Sequence, residues 1–308
     1  MKYQISLILS ALLPLTVIAA SVHADWKKDG LTITDDTYEN MEVVPLDDGR
    51  YRMYFSQNGS ILSDISTDGL NWTREEGTRI SGAGMPAIVE LDDGTLRLYF
   101  NRQLDEKNAV YSATSSDGLN FTEEAGVRLQ AGHPGGYDTL SGTTHPTVIQ
   151  LPSGRYRMYY DTFYTQGDGN TPWHILSAIS DDGLTFTIEQ GVRIKGKRDL
   201  PGDTKFAWSP HIQKRNGQYQ LFVTAQYDEP LKSNGIYLAT SDDGKHFTVK
   251  PKPIVYRDTS AERVDTDKGM NGAPQDPFVL KIDGVDTIYY WVVNKGIYRA
   301  HKRTTTTT

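Results

Sequence analysis

The chain has 308 residues, no cysteine and a formal net charge of −7 at pH 7. The lack of cysteine excludes disulfides, thiolate zinc sites, a cysteine nucleophile and a lipoprotein anchor. Basic residues are interleaved with acidic ones, which argues against nucleic acid or an anionic membrane surface as a partner.

Residues 1–24 have the pattern of a secretory signal peptide. Lys2 precedes the apolar run ISLILSALLPLTVIAA, and the small residues of SVHA precede a cleavage point between Ala24 and Asp25. A membrane anchor is the alternative interpretation, but Pro14 interrupts the run. We therefore expect a secreted or periplasmic protein with no membrane association, whose mature part starts at Asp25.

The mature part is an internal repeat with a period of about 50–60 residues. Each unit has four runs of alternating or β-branched residues separated by Gly, Asp or Asn turns, a pattern typical of antiparallel strands. The units open with MEVVPLDDG, PAIVELDDG, PTVIQLPSG, PHIQKRNG and PFVLKIDG. Four strands per unit and five units predict an all-β, five-bladed β-propeller.

The fifth unit stops one strand short, and the N-terminal segment supplies a matching one. WKKDGLTI (26–33) resembles the fourth strand of the other units in its aromatic start, its Gly and its apolar end. The N-terminal strand is therefore predicted to close the last blade, so that residues 25–303 form one domain. The threonine-rich tail at 304–308 is predicted to be disordered.

A seven-residue turn follows the third run of four units. Its copies are STDGLNW (66–72), SSDGLNF (115–121), SDDGLTF (180–186) and SDDGKHF (241–247). Ser and Asp side chains in such turns bond to backbone N–H groups, and the Gly takes a positive φ. Four similar copies indicate scaffold rather than catalysis, with the final aromatic residue packed between blades.

Strand polarity predicts which face carries the site. The short connections fall on one face, whereas the long, irregular ones fall on the other, where functional residues are expected. The long ones are 101–108, 130–144, 161–172, 195–208, 225–234 and 257–275. The inner strands begin on this face, so the predicted ring at the channel mouth is Glu39 or Asn40, Met85, His145, Ser209 and Asp276, with Arg102, Asp161, Gln226 and Asn294 behind it.

The sequence resembles the five-bladed furanosidase-like propellers, a group that includes arabinanases, β-xylosidases, levanases and invertases. The resemblance rests on the five units, the S-x-D-x-x-x-W/F turn, the Asp276-Pro277 strand opening and the segment FAWSPHIQKRNGQYQLFV (206–223). It covers nearly all of the mature chain and implies glycoside hydrolysis by carboxylates on the inner strands. The group's Asp, Asp and Glu on blades one to three are not matched here, where Glu39 or Asn40, Met85 and His145 stand. Sialidases, with six blades and an arginine triad, fit less well.

Glycoside hydrolysis needs two carboxyl groups across the bond, one protonated and one ionised. The candidate catalytic residues are Asp276, Asp161 and Glu39, with Asp138 as a further carboxyl group. The structural alternatives are a strand cap for Asp161, a turn residue for Asp276 and a solvated side chain for Glu39. The candidate substrate-binding residues are His145, Arg102, Trp208, Trp173, His211 and Met85, and Tyr137 and Phe163 are further aromatic residues on that face.

Two functions remain open from the sequence. One is a secreted glycoside hydrolase acting on a polysaccharide or oligosaccharide, and the other is a non-catalytic glycan-binding propeller that has lost the acids. Either way we expect a monomer whose partner is carbohydrate. No cofactor is expected, because the side chains available for a calcium ion in the channel follow no metal-ligand spacing.

Overall fold

In the computed structural model, the structure describes residues 25–130, 142–163, 173–201, 204–227, 235–256, 273–292 and 295–303. These residues are almost entirely β-strands and turns, with one short helix, α1 (Gly196–Asp199). The prediction of an all-β fold is confirmed. No helix in the described part is long and apolar enough to cross a bilayer.

After β1 (Trp26–Ile33), the strands form five consecutive antiparallel meanders. The first contains β2 (Glu39–Pro45), β3 (Tyr51–Gln57), β4 (Ser60–Ser66), β5 (Thr73–Arg74) and β6 (Ile80–Ser81). The second contains β7 (Gly84–Glu90), β8 (Leu96–Leu104), β9 (Lys107–Ser115) and β10 (Thr122–Glu123).

The third meander contains β11 (Thr144–Gln150), β12 (Tyr156–Phe163), β13 (Trp173–Ser180), β14 (Thr187–Ile188) and β15 (Ile194–Lys195). The fourth contains β16 (Thr204–Arg215), β17 (Gln218–Tyr227), β18 (Gly235–Ser241), β19 (Thr248–Val249) and β20 (Val255–Tyr256). The fifth contains β21 (Pro274–Ile282), β22 (Val285–Val292) and β23 (Gly296–Lys302). One parallel pair, Trp173 with Phe206, joins the third and fourth meanders into a single ten-stranded sheet.

The N-terminal strand completes the fifth meander, as the sequence predicts. β1 pairs antiparallel with β23, from Trp26 opposite Lys302 to Ile33 opposite Ile297. The sheet order is β1, β23, β22, β21. The first and last described strands of the chain therefore lie side by side, and β23 has no open edge.

The hydrophobic core is divided into five clusters, each between consecutive meanders. Tyr54 and Phe100 belong to the cluster between the first and second meanders. Phe55 and Phe278 belong to the cluster between the fifth and the first. The first strands also pack in order, β2 against β7, β7 against β11, β11 against β16, β16 against β21 and β21 against β2.

The seven-residue turns have the predicted internal hydrogen bonds. In the first turn, Asp68 Oδ1 accepts from the backbone N–H groups of Leu70 and Asn71, both at 2.8 Å. Ser66 Oγ accepts from Gly69 N–H at 2.9 Å. Backbone hydrogen bonds of this kind lower the pKa of Asp68, and they lower that of Asp182 in the third turn to about 2. The carboxylate form is therefore the one that holds the turn.

Each seven-residue turn is also contacted by a tyrosine of a neighbouring meander. The hydroxyl of Tyr54 donates to the carbonyl of Gly118 at 2.8 Å. The other three such pairs are Tyr99 with Gly183 at 2.9 Å, Tyr159 with Gly244 at 2.7 Å, and Tyr289 with Gly69. We call these four hydrogen bonds the tyrosine contacts. They connect one meander to the next at buried positions where an unpaired hydroxyl would be costly.

The aromatic residue that ends each turn packs edge-on against the same tyrosine. The centroid distances are 5.9 Å for Tyr54–Phe121, 6.0 Å for Tyr99–Phe186, 5.8 Å for Tyr159–Phe247 and 6.0 Å for Trp72–Tyr289. T-shaped pairs at this spacing are favourable beyond the area they bury. The predicted packing of these aromatic residues between repeat units is confirmed.

The Gly183→Ala variant should measure how much the tyrosine contact depends on glycine. A Cβ at Gly183, where φ is +72°, would lie 2.8 Å from the Tyr99 hydroxyl and 2.7 Å from Arg97 Nη1. We expect overpacking to lower the free energy of unfolding by about 1–3 kcal/mol beyond the cost of the positive φ itself. Urea unfolding followed by circular dichroism gives this value.

Gly154→Ala is the matched control for that experiment. Gly154 has a φ of +81°, but a Cβ there would meet nothing within 4 Å. It therefore incurs only the left-handed backbone cost of about 1–2 kcal/mol. Equal losses in the two variants would show that the close approach of Tyr99 adds nothing.

Candidate functional site

Residues in the first halves of β2, β7, β11, β16 and β21 meet around one small cavity, which we call the channel cavity. Its volume is about 30 Å³, enough for about two water molecules. Its lining is Asn40–Glu42, Met85–Pro86, His145–Thr147, Ser209–His211 and Asp276–Phe278. The ring of residues expected from strand polarity is therefore brought together.

All five ring residues have a strained backbone. The φ angle is +49° at Asn40, +55° at Met85, +46° at His145, +47° at Ser209 and +50° at Asp276. Non-glycine residues seldom adopt this left-handed conformation, and four of the five precede a proline, which restricts them further. The strand register shifts at each of these positions, as in a β-bulge. Strain repeated around one cavity is typical of a functional centre.

In three meanders, a side chain near the end of the second strand accepts a hydrogen bond from the backbone N–H of a ring residue in the next meander. Ser56 Oγ accepts from Met85 N–H at 2.7 Å, and Thr224 Oγ1 accepts from Asp276 N–H at 3.2 Å. Asp161 accepts from Ser209 N–H at 2.7 Å. Each ring residue of this kind is thus fixed by the preceding meander. The sequence analysis missed Ser56 and Thr224, although their equivalence to Asp161 in the aligned units is a detectable signal.

His145 and Asp161 form a buried pair behind the ring. His145 Nδ1 lies 3.0 Å from Asp161 Oδ2 and 3.1 Å from Oδ1, and the Asp161 side chain is 0% exposed. Asp161 also accepts from the Thr144 hydroxyl. Burial alone would lower the pKa of His145, but the carboxylates of Asp161, Asp276 and Glu39 together outweigh burial, so that the pKa is raised.

Asp276 is a buried carboxyl group with one oxygen available. It is 5% exposed, and its Oδ1 has no hydrogen-bond partner among the described residues. Burial raises the pKa of Asp276, against the opposing effects of His145, the Ser209 hydroxyl and the Asn40 backbone N–H. An acidic group with a raised pKa at a cavity is a candidate for proton transfer or nucleophilic chemistry.

Two glutamates of β2 complete the acidic side of the site. Burial raises the pKa of Glu39, and the nearby Asp276 raises it further, whereas His145 lowers it. Burial raises the pKa of Glu42 well above its usual range, against a hydrogen bond from the Ile88 backbone. Glu42 is part of the lining of the channel cavity. Glu42 is not among the residues predicted from the sequence, because an alternating strand pattern does not show which side chain faces the cavity.

An aromatic wall adjoins His145. Trp208 packs edge-on against His145 at 5.5 Å and against Trp173 at 5.5 Å, and Trp173 packs against Phe163 at 5.7 Å. The indole N–H of Trp208 is buried without a hydrogen-bond partner among the described residues. Three of the aromatic residues expected on the long-connection face therefore lie together beside the ring.

Two other candidate binding residues have their polar groups engaged elsewhere. His211 lines the channel cavity one layer below the ring, where its Nε2 donates to the Val279 carbonyl at 3.2 Å. Burial lowers the pKa of His211 to about 4, so the ring is neutral at pH 7. Arg102 forms an ion pair with Glu123 at 2.8 Å and donates to backbone carbonyls of residues 81 and 82. Tyr137, Asp138 and Asn294 lie outside the described residues.

A wider groove opens next to the ring, between the first and second meanders. Its volume is about 680 Å³, and it shares Asn40 and Met85 with the channel cavity. Glu39, Gln57, Asn101 and other polar residues line it. The groove has the size of a small-molecule site, which the channel cavity does not. Among the described residues, no group of three or more His, Asp or Glu side chains is arranged to hold a metal ion.

Several solved structures share this architecture. An endo-arabinase from Bacteroides thetaiotaomicron is 14% identical, with a TM-score of 0.65 over 90% of this chain and 98% of that chain. A β-xylosidase/α-arabinofuranosidase from a compost microbial metagenome, in complex with xylotriose, is 16% identical, with a TM-score of 0.60 over 90% and 96%. The chain has the furanosidase-like propeller fold.

The same fold carries other chemistry. An N-acetylgalactosamine deacetylase from F. plautii, in complex with blood group B trisaccharide, is 13% identical, with a TM-score of 0.61 over 91% of this chain and 95% of that chain. No protein-family model and no curated protein matches the sequence. Identities this low establish the fold alone, so the reaction has to be argued from the site.

The Asp161→Asn variant should lower the pKa of His145. Because the carboxylate is the main group that offsets burial, its loss should leave burial dominant and bring the pKa below the ordinary value of 6.5. Two-dimensional NMR of the imidazole ring in the wild type and the variant gives both values. An unchanged titration would contradict the pairing of these two side chains.

The same pair gives the sign of a pH effect on stability. The pKa of His145 is higher in the folded state than in the unfolded state. Protonated His145 therefore adds its full contribution to the free energy of unfolding below the unfolded-state pKa, and this contribution is lost as the pH rises through the folded-state pKa. The free energy of unfolding of the wild type should therefore fall more than that of Asp161→Asn over the range above pH 6.5.

Proposed function

We propose that the protein is an exported glycoside hydrolase that cleaves a polysaccharide or oligosaccharide at the mouth of a central channel. Residues 1–24 act as the signal peptide, and the mature monomer works outside the cytoplasm. The observation that supports the proposal is the pair of carboxyl groups, Asp276 and Glu39, which both have a raised pKa and both interact with His145 at the ring.

The scaffold of this enzyme is a closed propeller of five blades, one blade per meander. Three observations support closure: the five core clusters, the cyclic packing of the first strands and the pairing of β1 with β23. A ring of five blades gives one axial opening, and the ring residues surround it. The catalytic centre therefore lies at that opening rather than on the short-turn face.

The two carboxyl groups have different environments, which suits different roles. Burial raises the pKa of Asp276, but His145, the Ser209 hydroxyl and the Asn40 N–H oppose this shift and stabilise the ionised form. Glu39 is exposed at the rim and is pushed toward the protonated form by partial desolvation and by Asp276. We assign Glu39 as the proton donor to the leaving sugar and Asp276 as the carboxylate that acts on the anomeric centre or its attacking water.

Asp161 takes a different role from the one first expected. Its carboxylate is fully buried and is occupied by His145, Thr144 and the Ser209 N–H. A group so enclosed does not reach a sugar. We assign Asp161 as the positioning residue that holds His145 in a fixed orientation and favours its protonated form, which in turn stabilises the ionised Asp276.

The substrate sits above the channel cavity, because about 30 Å³ is too small for a sugar ring. The neighbouring groove gives polar groups for further sugar units, and the wall of Trp208 and Trp173 gives apolar faces. Aromatic faces beside carboxyl groups are suited to sugars, which carry both C–H and hydroxyl surfaces. Met85 lines both the groove and the channel cavity.

Chromogenic arabinosides, xylosides, galactosides and fructosides test this function. We expect wild-type protein to release the chromophore from at least one of them, and Asp276→Asn and Glu39→Gln each to lower kcat by about 10²–10⁴-fold. Arabinosides and xylosides come first, because two proteins with this fold are an arabinase and a xylosidase. The pH profile of Glu39→Gln should lose its alkaline limb, which reports the proton donor.

Asp283→Asn and Glu90→Gln are the matched controls. Asp283 lies in the short turn after β21, the strand that carries the ring residue Asp276 near its start, and Glu90 lies at the far end of β7. Both should leave kcat unchanged. Wild-type protein that binds oligosaccharides without cleaving any substrate of the panel would refute the enzyme and identify the non-catalytic glycan-binding propeller.

A further inference from the structure

A second cavity, which we call the seam cavity, lies between the fourth and fifth meanders. Its volume is about 340 Å³. Gln213 and Gln220 flank the short β16–β17 turn, and Asp286 follows the β21–β22 turn, so the cavity lies toward the face opposite the channel mouth. Its lining is Asp25, Trp26, Gln213, Gln220, Phe222, Leu238, Lys250, Pro251, Lys252, Ile254, Val279, Asp286 and Lys302.

In the first three meanders, an ion pair occupies the position that corresponds to this cavity. Arg52 pairs with Glu75 at 2.7 Å, and the Ser63 hydroxyl donates to the same carboxylate at 2.7 Å. The second and third meanders repeat this group as Arg97, Glu124 and Ser112, and as Arg157, Glu189 and Ser177. The fourth meander has Gln220, Lys250 and Leu238 at these three positions.

Two further donors are also replaced in the fourth meander. Phe222 stands where the first three meanders have the tyrosine of the tyrosine contact. Ile254 stands where they have the arginine represented by Arg79. Arg79 donates to the Leu119 carbonyl in the seven-residue turn of the next meander. The fifth meander has no such turn, because its fourth strand, β1, comes from the other end of the chain. All five replaced positions line the seam cavity.

The replacements remove an arginine–glutamate pair and a second arginine, leave Lys250 as the one charged side chain among the five positions, and make the floor of the cavity apolar. Lys250 stands at the position where the first three meanders have a glutamate. The exposed side chains of Lys252 and Lys302 line the same cavity. Of the two acidic residues in the lining, Asp286 is paired with Arg215 and with Lys281. Phe222 and Val279 are buried beneath, with exposures of 2% and 3%. The cavity is therefore locally cationic, although the whole chain has a net charge of −7.

We propose that the seam cavity binds a small amphipathic carboxylate. The apolar body of the ligand lies against Phe222, Leu238 and Ile254, and its carboxylate accepts hydrogen bonds from Lys250 and the neighbouring lysines. Charge-assisted hydrogen bonds of this kind are stronger than neutral ones. The volume lies at the lower end of the range of small-molecule sites, which suits a single aromatic or short aliphatic acid. This site is independent of the channel mouth.

Isothermal titration calorimetry with cinnamate and with the neutral cinnamamide tests the proposal. Wild-type protein should bind cinnamate at least about tenfold more tightly than the amide, because only the anion uses the lysines. The double variant Gln220→Arg/Lys250→Glu rebuilds the ion pair that the first three meanders contain. It should fill the cavity, replace the single charge of Lys250 by a neutral ion pair and abolish cinnamate binding.

Lys27→Gln is the charge control, because Lys27 lies on β1 outside the lining, and it should bind cinnamate like the wild type. If circular dichroism shows that the double variant is unfolded, Lys250→Gln decides instead, and weaker binding is expected. The proposal is overturned if wild-type protein does not bind cinnamate or binds both compounds equally. It is also overturned if Lys27→Gln weakens binding as much as the variants of residue 250.

Discussion

The hydrogen bond from a buried tyrosine hydroxyl to a glycine carbonyl in the next meander is the interaction on which the structure depends. It occurs four times, at Tyr54, Tyr99, Tyr159 and Tyr289, and each hydroxyl reaches a turn that Ser and Asp side chains have already fixed. Because the turn is held internally, the tyrosine meets a rigid acceptor. The position of one meander against the next is then determined by the tyrosine contact, which recurs at a regular spacing along the chain.

This arrangement leaves the opposite ends of the inner strands available for function. Backbone strain, a buried His–Asp pair and two carboxyl groups with raised pKa values are concentrated there, whereas the short-turn face carries repeated ion pairs. Strain of this kind persists only where the surroundings determine the conformation. The side chains of Ser56, Asp161 and Thr224 do so at three of the five positions, so the scaffold and the site share the same residues.

The sequence predicts much of this arrangement, because repetition carries the information. The strands, the closing role of residues 26–33 and the ring from Asn40 to Asp276 all follow from aligning five units and counting strand polarity. The roles within the ring do not follow, because they depend on burial and on contacts across meanders. Asp161 looks like a catalytic acid in a strand pattern, yet its enclosure by His145 and Thr144 appears only in three dimensions. The seam cavity likewise arises from substitutions that look unremarkable one at a time.

The pairing of β1 with β23 has a consequence for biogenesis. Contacts between residues near positions 26–33 and 296–302 span almost the whole chain, and such long-range pairing is slow, because the intervening loop must close first. Until β23 has been synthesised, β1 has no pairing partner and presents unpaired backbone edges that favour self-association. During the proposed export, β1 must therefore stay protected until β23 is available to pair with it.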